Sequence, residues 1–104
     1  MFAALANPAR REMLRLLRDR GPLPVAELAG HFDMRRPSVS EHLRLLLDAR
    51  LVGEERSGRQ RLYHLEPERL REVSDWLAPY ERFWREKLTT LRDLLDEENH
   101  EHRD

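Results

Sequence analysis

Apolar positions in the first half of the chain recur at helical spacing. Between Pro8 and Arg20, Met13, Leu14, Leu16 and Leu17 make one stripe while Arg10, Arg11, Arg15 and Arg18 fall on other faces. That rhythm predicts a helix buried on one side. Asn7 is a suitable N-cap, Pro8 sits where its missing N–H costs nothing, and Gly21 can end the helix. Before it, the stretch from Phe2 to Ala6 reads as a short apolar helix or cap. Pro22 and Pro24 mark a connection. Residues 25–32 then predict a second short helix, with Val25, Leu28, Ala29 and Phe32 apolar. After a polar break from Asp33 to Arg36, Pro37 opens a third, in which Val39, Leu43, Leu46 and Leu47 share a face at spacings of 3 and 4. Two helices joined by a few residues, the second presenting short polar side chains, form a helix-turn-helix pattern.

The period changes after Leu51. Residues 51–56 and 60–66 flank Ser57-Gly58-Arg59, which predicts a β-hairpin whose turn uses the positive φ open to Gly58. Arg56, Arg59 and Arg61 lie at its tip. From Pro67 the helical period returns. Leu70, Val73, Leu77, Tyr80, Trp84, Leu88, Leu91 and Leu95 step by threes and fours, close to a heptad seam, and Trp76, Phe83 and Leu94 widen it. Pro79 is expected to kink or divide this helix. The pattern therefore predicts a mainly α chain with a small hairpin. Residues 1–67 form a winged helix-turn-helix core, 68–98 a C-terminal dimerisation helix, and 99–104 a frayed polar tail.

Composition narrows the class. The 104 residues suit one domain, and no apolar run approaches the ~20 residues of a membrane span. Arginines interrupt the N-terminal stretch, which excludes a secretory signal, and with no cysteine there is no disulfide or thiolate site. The expected location is the cytoplasm. The net charge of −1 conceals a division. Residues 1–63 hold twelve arginines and eight acids, a net of +4; residues 64–104 hold seven basic and twelve acidic residues, a net of −5. Such asymmetry points to a polyanion-binding half. All basic residues except Lys87 are arginine, whose planar fork matches phosphate and guanine edges; genomic codon bias would give the same excess.

A recognition helix enters the major groove N-terminus first. The candidate DNA-binding residues are thus Arg35, Arg36, Ser38, Ser40, Glu41, His42 and Arg44, with Arg56, Arg59 and Arg61 of the hairpin on the neighbouring backbone or minor groove. A winged-helix module acting through a partner protein is the alternative. Leu70, Val73, Leu77, Tyr80, Trp84, Leu88 and Leu91 are the candidate dimer interface.

Taken in order, residues 4–17, 25–32, 35–52 and 57–67 (ALANPARREMLRLL, VAELAGHF, RRPSVSEHLRLLLDARLV and SGRQRLYHLEP) resemble the arsenic-repressor (ArsR/SmtB) family of bacterial winged-helix regulators. The stretch WLAPYERFW is similar to the C-terminal helix of several non-metal members. The resemblance implies a homodimer of four helices, a hairpin wing and a fifth helix. It also implies operator repression relieved by an effector: a small molecule, a metal or a protein. Metal-sensing members carry cysteines on the helix before the turn, where this chain has Pro24 and Ala26, and residues 68–98 lack the histidine of a second family metal site.

No cofactor is required by this reading. One metal option remains: His100 and His102, with Glu98, Glu101 and Asp104, offer donors of the kind nickel or zinc accept, against the plainer reading of a solvated tail. His31, His42 and His64 stand alone: His31 reads as a surface residue, His42 as DNA-side or packing, His64 as part of the hairpin. The aromatic group Trp76, Tyr80, Phe83 and Trp84 reads as core and dimer seam, as the wall of a pocket for a small apolar effector, or as a partner's dock. No catalytic motif occurs in a recognisable context, so an enzyme is not expected.

Overall fold

The computed structural model describes the backbone of residues 1–101 and the side chains of residues 1–98. Eight elements follow in order: α1 (Phe2–Leu5), α2 (Pro8–Arg20), β1 (Leu23–Pro24), α3 (Val25–Ala29), α4 (Arg36–Asp48), β2 (Val52–Ser57), β3 (Gln60–Leu65) and α5 (Pro67–Glu101). Residues Met1–Arg71 form one compact unit, and the rest of α5 is a second.

Helix α2 begins as its sequence dictates. The Asn7 side chain accepts from the N–H groups of Ala9 (2.8 Å) and Arg10 (3.2 Å), satisfying donors that have no partner within the helix. Gly21, at φ 79°, ends it. Its stripe of Met13, Leu14, Leu16 and Leu17 is buried and meets Leu28 of α3, Val39, Leu43 and Leu46 of α4, and Leu51 and Val52. Each such side chain removed from water contributes roughly 1.5–3 kcal/mol. Helix α4 ends in a left-handed residue: Leu51 N–H reaches Leu46 C=O and Arg50 N–H reaches Leu47 C=O, with Arg50 at φ 61° where glycine is usual.

Strands β2 and β3 pair from Val52↔Leu65 to Ser57↔Gln60. The two-residue turn between them starts at Gly58, φ 64°, which has the positive value that hairpin turns need there. The expected hairpin is therefore present, but the sheet has a third strand. Leu23 and Pro24, read as a bare connection, pair with Tyr63 and Leu62. Two residues are too few to show alternation, and Pro24 gives no donor, as suits an edge.

Several boundaries differ from expectation. Helix α3 ends at Ala29, and Phe32 reaches the core from the turn beyond it. Helix α4 starts at Arg36, with Pro37 inside its first turn. Pro79 does not divide α5, which is helical on both sides of it; proline's fixed φ fits a helix, and the backbone bond it removes is one among many along 35 residues. The first compact unit ends at Arg71; within it Leu70 packs on the core and Arg69 Nε donates to Ala49 C=O at 3.4 Å. The helix also continues through Glu101, past the expected start of a frayed tail.

Candidate nucleic-acid interface

The buried face of α4 fixes what its other faces present. With Val39, Leu43 and Leu46 fully buried, the helical period of 100° per residue turns Pro37, Glu41, Arg44 and Asp48 to the opposite side. Arg35, Arg36, Ser38 and Ser40 are exposed around the N-terminal turn. No acidic residue stands in that turn, so its positive dipole end adds to the two arginines in attracting phosphate. On the outer face Arg44 is occupied. Its Nη2 donates to Glu41 Oε1 at 2.6 Å and its Nε to Oε2 at 3.3 Å. Arg44 thereby holds the Glu41 carboxyl below the usual carboxylate range, and the carboxylate raises the arginine in turn.

The hairpin supplies a second basic surface. Residues alternate across it, so Arg56 and Arg61, opposite one another, share a face with Glu54 and Tyr63, while Glu55 and Leu62 share the other. Arg61 Nε lies 3.6 Å from Glu54 Oε2. Arg59 is exposed in the turn at the tip. At the base, a Cβ on Gly53 would lie 2.5 Å from His64 Nε2, the atom that contacts Glu66 Oε1 at 2.7 Å. Glycine is what lets the His64–Glu66 pair close over the strand. His64 Nδ1 is buried without a hydrogen-bond partner.

His42 is half-buried, and its Nδ1 lies 3.1 Å from Arg10 Nη1. It lies one turn beyond Ser38 on the same flank of α4, at the edge of the buried stripe. There it makes a contact between α2 and α4. Arg10, its partner, carried no signal in the sequence beyond its place on a polar face. His31, expected at the surface, is exposed, with Nε2 2.7 Å from Arg20 Nη1.

Along α5 the expected seam is mostly bare. Leu70 is the exception, since it packs into the core of its own chain, and Val73 is partly buried. Leu77, Tyr80, Trp84, Leu88, Leu91 and Leu95 are exposed, together with Trp76, Phe83 and Leu94. The Trp76 and Tyr80 rings pack with centroids 4.9 Å apart. The nickel or zinc option at His100 and His102 lies outside the described side chains. Among the described residues no group of three or more His, Cys, Asp or Glu could hold a metal ion, and no helix is long and apolar enough to cross a membrane.

A helix-turn-helix with polar residues at the exposed start of its second helix, followed by an arginine-tipped hairpin, defines a winged-helix DNA-binding protein. The family described as "Bacterial regulatory protein, arsR family" matches residues 7–54. The chain is 40% identical over 97 residues to the HTH-type transcriptional regulator Rv2034 of Mycobacterium tuberculosis, covering 93% of this chain and 87% of that one. It is 32% identical over 80 residues to the transcriptional repressor SdpR of Bacillus subtilis, covering 77% and 88%. The chain belongs to the arsR family. Among solved structures, an ArsR family transcriptional regulator superposes with a TM-score of 0.70 at 40% identity, over 81% of this chain and 86% of that one. A homodimeric winged helix-turn-helix DNA-binding domain from Mycobacterium bovis does so with 0.58 at 28%, over 83% and 76%. The chain is a DNA-binding transcriptional regulator and not an enzyme.

Proposed function

We propose that this regulator is a cytoplasmic repressor that binds a two-fold-related operator as a homodimer and is released by an effector. The observation that carries the reading is the pairing of two surfaces: exposed Arg35, Arg36, Ser38 and Ser40 at the start of α4, and the Arg56, Arg59 and Arg61 end of the hairpin. Phosphate contacts from the arginines set position, and the serines read base edges. The bare apolar row of α5 is the dimer seam, which sets half-sites about one helical turn, ~34 Å, apart or a multiple of it. Its aromatic members, Trp76, Tyr80, Phe83 and Trp84, favour an apolar small molecule as the effector. Nickel or zinc at His100 and His102 is the separate metal option; calorimetry with the full chain and with a chain ending at Glu97 tests it, and equal affinity for both excludes the tail.

Fluorescence anisotropy with random duplex DNA at low salt tests the central reading. Micromolar binding or tighter is expected, and its absence favours a module acting through a partner protein. Arg59→Ala should weaken binding to every sequence and reduce the salt slope by about one contact. Ser38→Ala should change preference at one base position, by roughly 1–3 kcal/mol. An unchanged affinity and slope for Arg59→Ala would remove the hairpin from the interface.

A further inference from the structure

Arg10 of α2 makes three hydrogen bonds in three directions with one planar group. Nε donates to Ala4 C=O at 2.8 Å, Nη2 to Ala3 C=O at 3.2 Å, and Nη1 meets His42 Nδ1 at 3.1 Å. The two carbonyls belong to α1, where Ala3 C=O also accepts from Ala6 N–H at 3.2 Å. The imidazole belongs to α4, the helix that reads DNA. A guanidinium carries donors and no acceptor, so in this contact Nδ1 is the accepting nitrogen. A lysine ammonium, a single point of charge, does not reproduce this fork.

Apolar packing joins the same three helices, since Ala4 shares the buried cluster with the α2 and α4 stripes, but it supplies no directional contact. An open cleft of about 460 Å³ separates α1 from the outer flank of α4, lined by Ala3, Ala4, Arg10, Leu45, Asp48 and Ala49. Arg10 spans from one side of that cleft to the other helix. The core stripe of Val39, Leu43 and Leu46 holds α4 against the domain, but apolar contact is non-directional. Close packing of that stripe limits rotation of α4 about its own axis, and the directional Arg10–His42 contact limits it further. A side-chain tip ~5 Å from the axis moves ~1 Å for a rotation of about 10°, enough to break a hydrogen bond between Ser38 or Ser40 and a base.

We infer that Arg10 is a positioning residue for DNA reading: through His42 it fixes the rotation of α4 against α1 and α2, without itself touching DNA. The inference rests on α4 being the reading helix, and the wild-type protein tests that part separately, since it must enrich particular duplexes from a random pool.

The experiment compares an enriched duplex with random duplex DNA, by anisotropy over a range of salt, for the wild type, Arg10→Lys, His42→Ala, His42→Asn and the Arg10→Lys/His42→Ala double variant. Arg10→Lys and His42→Ala should each lose about tenfold in preference for the enriched duplex, on the scale of one hydrogen bond to a charged group. Random-duplex affinity and salt slope should stay at wild-type values. The double variant should lose no more than either single variant, because both break one contact. His42→Asn, whose Oδ1 can accept in place of Nδ1, should retain most of the preference. A fall in random-duplex affinity with a shallower salt slope would make Arg10 a phosphate contact and overturn the inference, as would losses that add in the double variant. If Arg10→Lys lowers thermal stability, His42→Ala decides alone: full wild-type preference in that variant overturns the inference, and a tenfold loss supports it.

Discussion

The apolar row on α5 allows the strength of dimerisation to be tested one side chain at a time. Leu88 lies in that row and is 57% exposed in the single chain. Replacing it with alanine removes three carbon groups and leaves the helix intact, since alanine is the best helix former. At ~0.8 kcal/mol per buried carbon group, scaled by the 57% still open to water, the loss is about 1.4 kcal/mol in each copy. A two-fold interface contains each residue twice, so Leu88→Ala should weaken the dimer by about 2.7 kcal/mol, or roughly 100-fold in dissociation constant. Sedimentation velocity over a dilution series measures this directly. Glu86→Ala is the control: two residues earlier on the helix, it is on the far side and should leave the constant unchanged. A Leu88→Ala constant within twofold of wild type, with helix content preserved, would show that this face does not join the two copies. Equal weakening by Glu86→Ala would mean the helix rather than the seam had been damaged.

Two further expectations concern the reading helix. Because Glu41 engages Arg44, a phosphate must compete with that carboxylate for the arginine. The contact is formed at neutral pH and is lost only as pH falls below the ordinary carboxylate range, since the folded protein lowers the Glu41 value. Glu41→Gln should therefore tighten random-duplex binding and steepen its salt slope by up to about one unit; an unaltered slope means Arg44 does not reach the backbone. Leu46 has no exposed surface, and Leu46→Ala should cost about 2–5 kcal/mol in urea unfolding. A loss under ~1 kcal/mol would contradict the placement of α4 on the core.

What could be read in the sequence was what local chemistry decides. Asn7, Pro8 and Gly21 bounded α2 because a capping acceptor, a missing N–H and a positive φ are properties of single residues. The apolar stripes of α2 and α4 followed from their period, and Gly58 announced the turn before Arg59. The parts that stayed hidden depend on partners far along the chain. Leu23 becomes strand only by meeting Tyr63. Arg50 takes a left-handed conformation although it is neither glycine nor asparagine, because the turn into β2 and the burial of Leu51 demand it. Leu70 fits the seam by spacing, yet the core of its own chain holds it. Among the proposed site residues, Arg35, Arg36, Ser38 and Ser40 are exposed, while His42 is half-buried against a residue 32 positions earlier. No helical period carries that information.

The opposed pair Arg56 and Arg61 has a consequence for the free protein. Like charges facing each other across a strand pair weaken it by a fraction of a kcal/mol, and Glu54, 3.6 Å from Arg61, offsets only part of that. Alone in solution, the end of the hairpin closes against its own repulsion. Where the hairpin lies on DNA as proposed, a phosphate beside it would offset the opposition, and order at the tip and occupancy would belong to one equilibrium. The amides of Ser57 and Gln60 should exchange with solvent faster in the free protein than in the complex. Salt acts on both sides of the balance, screening the repulsion that loosens the tip as well as the attraction that draws DNA to it.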